Sequence, residues 1–460
     1  MKNENFLWGG AISACQSEGA YNKDGRTPSI FDTLPLPNEG RWALYDNPSK
    51  ALCGDFDTYP SHHAINFYDT YKEDLKLLSK LGINCFRTSI SWSRVIPSLD
   101  GQVNEKGLQF YVDLFTECKK YGMKPLVTLS HFDTPLYLTE TYDGWSHKET
   151  LNHFLRYAEI VMTELKDLVT LWIPINEINM ILHIPYLGGG VVESSNKMKA
   201  AHNMLLGSAG VVKLAHEINH DNKVGCMLAA GLYYPYTSHP QDVYCAQKEN
   251  RKMYLFTDVQ IRGSYPKWFT MQSGLQITEN ERNLLRDYTA DFIAVSYYTS
   301  RLFADENRVD IEGVDGNSAK TLRNKYLDIT PWGRQIDPLG LKTTLIDMYD
   351  RYQTPIFIVE NGLGVEDTLD HDCINDDDRI DFIQQHISQM TQAISEGVDV
   401  MGYLTWGIID VISAGGGEMK KRYGLVYVDQ DDYGNGSKRR IPKKSFYWYQ
   451  KEIERRNFTK

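Results

Sequence analysis

A chain of 460 residues with a formal net charge of -11 is a poor partner for nucleic acid or an anionic membrane surface. It does not exclude an anionic small molecule, because one local basic pocket suffices. At 42% hydrophobic residues the chain can bury a large core. About 150 residues per domain would suggest three domains, but barrels with insertions run past ~400 residues as one. No linker or short repeat interrupts the sequence, so a single domain over 1–460 is expected.

The seven cysteines (Cys15, Cys53, Cys85, Cys118, Cys226, Cys245 and Cys373) are odd in number, and no two stand at metal-ligand spacing. Reduced thiols in a cytoplasmic protein are the expectation. The first six residues are polar and lead into a strand-like segment, with no signal peptide and no apolar run of ~20 residues. Aromatic residues make up 12%. That suits a pocket for flat ligands, and equally an ordinary large core.

Residues 6–14 read as a first strand, leading to Cys15 and Gln16. Residues 20–60, rich in Pro, Gly and Asp, read as loop. Tyr71, Leu75, Leu78 and Leu81 recur at helical spacing, and Gly82 stops them. A second strand follows over 83–89. Leu108, Tyr111, Val112, Phe115 and Cys118 repeat the helical period up to Gly122. A third strand over 125–129 ends at Ser130 and His131.

The alternation continues. Leu151, Phe154, Leu155, Ala158, Val161, Met162 and Leu165 mark a helix before the apolar run 171–175, which ends at Asn176 and Glu177. A helix near 197–217 precedes strand 223–229, and helical segments near 242–261 and 279–288 precede strand 291–297. A helix near 338–352 precedes Ile356, Phe357, Ile358 and Val359, an unalternating apolar run that ends at Glu360. Such a run is expected of a strand buried on both faces. A last helix near 376–396 precedes strand 400–406.

Eight strand-helix units predict a closed (β/α)8 TIM barrel with right-handed crossovers. An open doubly wound sheet is the runner-up, but no glycine-rich phosphate turn follows the first strand. In a barrel the strand C-termini share one face. That face would gather Gln16, Arg87, His131, Asn176, Glu177, Tyr298, Glu360 and Trp406.

Two carboxylates on facing strand ends are the minimum apparatus of glycoside hydrolysis, and a gap of about 5–5.5 Å would mean retention. Arg87 could hold one of them ionised by a charge-assisted hydrogen bond. Taken singly, each residue has a plainer reading. A strand-end Glu is usually solvated or salt-bridged, and a lone His131 or Trp406 is usually core. The functional case rests on the set.

The set resembles the family 1 glycoside hydrolases over nearly the whole chain. The matching stretches are Phe6-Leu7-Trp8-Gly9-Gly10-Ala11 and Arg87-Thr88-Ser89-Ile90-Ser91-Trp92-Ser93-Arg94. Asn176-Glu177-Ile178-Asn179, Ser296-Tyr297-Tyr298-Thr299 and Val359-Glu360-Asn361-Gly362 follow. The last runs from Lys421-Arg422-Tyr423-Gly424 to Asp429. The resemblance implies a retaining β-glycosidase, with Glu177 as acid/base and Glu360 as nucleophile. Arg87 and Tyr298 would support the nucleophile, and Gln16, His131, Asn176 and Trp406 would line the sugar site. No metal or organic cofactor is implied. A glutamate at 177, where thioglycoside-cleaving relatives have Gln, points to O-glycosides.

Relatives that act on plain sugars carry a Glu seven residues before the lysine matching Lys421; here Ala414 stands there. Phosphate-specific members match Lys421 and Tyr423, and add a Ser where this chain has Gly415. The expected substrate is therefore a 6-phosphorylated β-glucoside, a disaccharide or an aryl glycoside. The glycine run around Gly415 would offer backbone N–H groups as an anion nest in place of the serine. Trp332 is a candidate platform for the leaving group. Arg334 stands where relatives usually have a second Trp; it could alter leaving-group preference, but reads first as a solvated loop charge. The rivals are a 6-phospho-β-galactosidase, a plain β-glucosidase and, in another class, a non-catalytic sugar-binding barrel. The last would be expected to lose one carboxylate. A homo-oligomer is allowed but not required.

Overall fold

The computed structural model describes residues 6–305, 313–314 and 321–458. Eight parallel strands close into a barrel: β1 (Leu7–Ala11), β2 (Cys85–Ser89), β3 (Lys124–Ser130), β4 (Leu171–Ile175), β5 (Lys223–Ala230), β6 (Phe292–Tyr297), β7 (Ile356–Asn361) and β8 (Val400–Trp406). Each pairs with its neighbours in sequence order, and β8 returns to β1. All six residues of β7 are buried, as its unbroken apolar run requires. Helices α1 (Phe67–Ser79), α2 (Glu105–Lys120), α3 (Lys148–Glu164), α4 (Lys197–Ile218), α5 (Pro240–Arg262), α6 (Pro338–Tyr352) and α7 (Asp377–Ser395) fill the crossovers. Their apolar stripes face inward; Leu75, Leu78, Tyr111, Phe115, Phe154 and Val161 are all buried.

The expected first strand over 6–14 stops at Ala11, because the chain turns at once into a short helix, Ala14–Ser17. The expected loop over 20–60 instead contains four short helices, Ile30–Thr33, Pro37–Glu39, Arg41–Asp46 and Ser49–Cys53. Each is too short to show a period. The first is held by a capping box between Ser29 and Asp32. Beyond β8, a hairpin (Val426–Val428 with Arg440–Pro442) and helix α8 (Lys444–Phe458) extend the chain; neither was anticipated. Tyr449 of α8 donates to the Gly9 carbonyl at 3.0 Å and fastens this helix to β1.

Two irregularities shape the C-terminal face. Pro174 has no N–H to give, and pairing of β4 with β5 extends only over Leu171 and Trp172. Past that point Asn179 takes over: its amide donates to the Ala229 carbonyl at 3.0 Å and accepts from the Ala229 N–H at 2.9 Å. In β7 the register against β6 slips by one residue between Ile358 and Glu360. A bulge there re-aims the side chain that follows it.

Candidate active site

Glu360 leaves the bulge buried and pointing at a guanidinium. Arg87 Nη1 donates to Glu360 Oε1, and the Tyr298 hydroxyl donates to Oε2 at 2.8 Å. Arg87 is itself fully buried on β2. Its Nη2 donates to Asn176 Oδ1 at 2.7 Å, and both Nε and Nη2 reach Thr128 Oγ1 at 3.2 Å. One planar fork therefore ties the ends of β2, β3, β4 and β7 together. Asn361 fixes the strand behind Glu360, donating to the Tyr297 carbonyl and accepting from the Tyr403 hydroxyl, both at 2.6 Å.

Glu177 follows Asn176 in a left-handed conformation (φ 40°, ψ 54°). For a non-glycine residue this costs about 1–2 kcal/mol, and such strain often gathers at functional positions. The Ser296 hydroxyl donates to Glu177 Oε1. Ser296 is the register partner of Glu360, so one residue links the two carboxylates. Burial, and then the charge of Glu360, push the Glu177 carboxyl up to about 7. The Ser296 hydrogen bond and the charges of Arg334 and Arg87 act in the opposite direction.

The other expected sugar-site residues meet on the same face. The rings of His131 and Trp406 stack with centroids 5.8 Å apart. Burial and the charge of Arg87 hold the His131 imidazole well below its ordinary value, so it is neutral. His131 Nδ1 and Asn176 Nδ2 are buried without a protein partner, and both can bond a sugar hydroxyl. Gln16 is held at both ends, accepting from Ser13 Oγ at 2.9 Å and donating to the Ile412 carbonyl at 2.6 Å.

Lys421 and Tyr423 lie on one side of an extended segment and Arg422 on the other. Arg422 donates to Asp410 at 3.0 Å, and Lys443 donates to the same carboxylate at 2.8 Å. This buried ion network anchors the segment while its neighbours face the pocket. Lys421 is buried, its Nζ has no hydrogen-bond acceptor, and burial followed by the charge of Arg334 pushes it down to about 6. Gly364 allows the close approach of this segment. A Cβ there would stand 2.7 Å from the Tyr423 ring and 3.0 Å from Lys421 Cε.

The glycine run sits differently from a free nest. Arg41 and Tyr45 donate to the Gly415 carbonyl at 2.7 and 2.9 Å, and Arg41 also binds the Ala414 carbonyl at 2.9 Å. The N–H groups of Gly416 and Gly417 turn back onto Ser413. Trp332 lies with its ring centre 5.4 Å from Lys421 Nζ, so it borders the lysine. Arg334 is not a solvated loop charge. It is half-buried, with its guanidinium 4.4 Å from the centre of the Tyr298 ring.

Among the contributors left unassigned in the sequence are Ser296 and Arg41. Ser296 stands two residues before Tyr298, on the same side of a strand end, which was a usable signal. Arg41 lies in the misread 20–60 segment and offered none. All seven cysteines are free thiols, and among the described residues no helix is long and apolar enough to cross a membrane.

An eight-fold barrel that presents two linked glutamates at its strand ends, one gripped by an arginine and the other held toward neutrality, is the architecture of a glycoside hydrolase. The chain belongs to glycosyl hydrolase family 1, whose model matches residues 2–458. It is 45% identical to the 6-phospho-beta-glucosidase AscB of Escherichia coli, over 98% of this chain and 97% of that one. It is 44% identical, with the same coverage, to the aryl-phospho-beta-D-glucosidase BglH of Bacillus subtilis. Among solved structures it superposes on a family 1 b-glucosidase from Thermotoga maritima with a TM-score of 0.84 at 28% identity, covering 99% and 98% of the two chains.

Proposed function

We propose that this chain is a cytoplasmic, retaining 6-phospho-β-glucosidase acting on phosphorylated disaccharides or aryl glucosides. Glu360, fixed by Arg87 and Tyr298, attacks the anomeric carbon. Glu177 gives its proton to the leaving oxygen, so the aglycone departs as a neutral alcohol. The glycosyl ester of Glu360 carries no charge, and the second-largest influence raising the Glu177 pKa disappears with it. Glu177 then ionises readily and takes a proton from water. That water attacks the same anomeric carbon, frees Glu360 and restores the β configuration. His131, Asn176, Gln16 and Trp406 hold the sugar, and Trp332 borders it.

The phosphate reading is carried by one observation: Lys421 is buried without an acceptor beside Tyr423, with Ala414 where a hydroxyl-binding carboxylate would stand. The names of the two relatives point the same way. Free cysteines suit a reducing compartment. The reading is tested with 4-nitrophenyl β-D-glucoside, its 6-phosphate and the corresponding galactoside 6-phosphate. The glucoside 6-phosphate should show the highest kcat/KM; hydrolysis of the plain glucoside alone would refute it.

A further inference from the structure

Arg334 is set in a short hairpin between Asp328–Ile329 and Gln335–Ile336. Its carbonyl accepts from Thr330 N at 2.8 Å, and its N–H donates to Thr330 Oγ1 at 3.1 Å. With the backbone so held, the side chain lies over the face of Tyr298, the residue that bonds Glu360. Its Nη1 is buried and has no hydrogen-bond acceptor. The same small cavity is lined by Arg334, Lys421, Tyr423, Tyr298, Thr330 and Gly364. Two basic side chains therefore share one cavity, and Lys421 Nζ also has no acceptor. Among the described residues neither forms an ion pair with a carboxylate. Glu418 acts on Lys421 through its charge alone.

Burial and the charge of Arg334 push Lys421 toward neutrality, so an anion shared between the two side chains is what would let both be charged. The cavity's position narrows the choice of anion. It is lined by Tyr298, which bonds Glu360, and by Lys421 and Tyr423, so it lies beside the carboxylate pair. The position of the serine found in similar phosphate-specific enzymes is occupied by Gly415, whose carbonyl is bound by Arg41 and Tyr45. A guanidinium offers paired N–H donors that match phosphate oxygens, which a hydroxyl cannot.

We propose that Arg334 is a specificity-determining residue: a second cation that shares the substrate's 6-phosphate with Lys421. This deepens the 6-phosphoglucoside reading and rests on it. The competing role for such a cation is recognition of a negatively charged leaving group, and the experiment separates the two. Wild type, Arg334→Gln and Arg334→Lys are compared on 4-nitrophenyl β-D-glucoside 6-phosphate, on 4-nitrophenyl β-D-glucoside and on the glucoside 6-phosphate of 4-hydroxybenzoate. Inhibition by glucose 6-phosphate is measured alongside.

Loss of a charged hydrogen-bond donor predicts that Arg334→Gln lowers kcat/KM on the nitrophenyl 6-phosphate roughly 10- to 100-fold. The loss should fall mainly on KM, be much smaller on the plain glucoside, and be matched by weaker inhibition by glucose 6-phosphate. Arg334→Lys keeps the charge and should recover part of it, which guards against a loss caused only by a disturbed Tyr298. Equal losses on the plain and phosphorylated substrates, no loss at all, or a loss confined to the carboxylated aglycone would each overturn the proposal. A wild-type enzyme with no preference for phosphorylated substrates would overturn the substrate reading along with it. A preference that survives intact in Arg334→Gln overturns the role of Arg334 alone.

Discussion

Glu177 should make the folded chain less stable at neutral and alkaline pH than it would be without the charge. In the folded chain its carboxyl titrates at about 7, against an ordinary 4.5. The unfolded chain releases this proton near 4.5, while the folded chain keeps it until about 7. Between those values the unfolded state binds fewer protons, so stability falls as pH rises. A rise of that size corresponds to at most about 3 kcal/mol. Glu177 as a residue is only half-buried, so solvent screens part of this charge and we take about 2 kcal/mol as the expected loss. Glu177→Gln removes the titration and keeps an acceptor for Ser296 Oγ. The variant should be more stable than wild type at pH 8 by that amount, and the gain should shrink several-fold at pH 5. With a melting entropy of about 2 cal/mol/K per residue, the gain is roughly 2 °C in melting temperature for a chain of this length. Scanning calorimetry at the two pH values can read it. No gain at pH 8, or the same gain at pH 5, would show that burial and the charge of Glu360 do not penalise this carboxylate.

Glu360→Gln should lower hydrolysis at least ~10³-fold, since no nucleophile remains. With the charge of Glu360 gone, the pKa of Glu177 should fall, which a carbon-13 titration of the side-chain carboxyls would detect. In wild type, kcat/KM should decline above pH ~7 as Glu177 loses its proton; a flat profile to pH 9 would remove it as the acid. Lys421 is mostly neutral above pH 6 in the free enzyme, so binding a phosphate dianion should restore its ammonium. Calorimetric titration with glucose 6-phosphate at pH 7.5, in buffers of different ionisation enthalpy, should show uptake of close to one proton per site; zero uptake would separate the lysine from the phosphate. Gly364→Ala places a methyl 2.7 Å from the Tyr423 ring, and should raise KM for the phosphorylated nitrophenyl glucoside about tenfold or more with a smaller effect on kcat. An unchanged KM would mean that Tyr423 does not touch that substrate.

The barrel was legible because several of its strands are short apolar runs that end in a polar residue and are separated by helices of clear period. Ile356 to Val359 and Leu171 to Ile175 are short, bounded and buried throughout. The site was legible for the same reason: closure of the ring brings all the C-terminal ends to one face, whatever the details of each loop. What period alone does not carry is the local break in a regular element. The slip in β7 before Glu360 and the open seam at Pro174 depend on which neighbour each strand meets. The short helices over 20–60 are held by caps and by contacts such as Arg41 with the Ala414 and Gly415 carbonyls. The Ser29–Asp32 cap lies within one turn of chain, but no window of sequence contains both Arg41 and the carbonyls it binds.

Arg334 shows where reading by type fails. In sequence it is a charged residue in a polar stretch beside a glycine, and most such residues are solvated. In the fold its backbone is bonded to Thr330, its guanidinium lies on Tyr298, and its charge reaches Lys421 and Glu177. The identity of the side chain did not decide this; the hairpin did, by closing over the pocket. Lys421 shows the converse. Its neighbour Arg422 is locked to Asp410 within a buried ion network, and in an extended segment adjacent side chains must point to opposite sides. Once Arg422 is committed to that network, Lys421 and Tyr423 have only the pocket to face. The direction of the two residues proposed to bind phosphate therefore follows from a salt bridge on the opposite side of their segment.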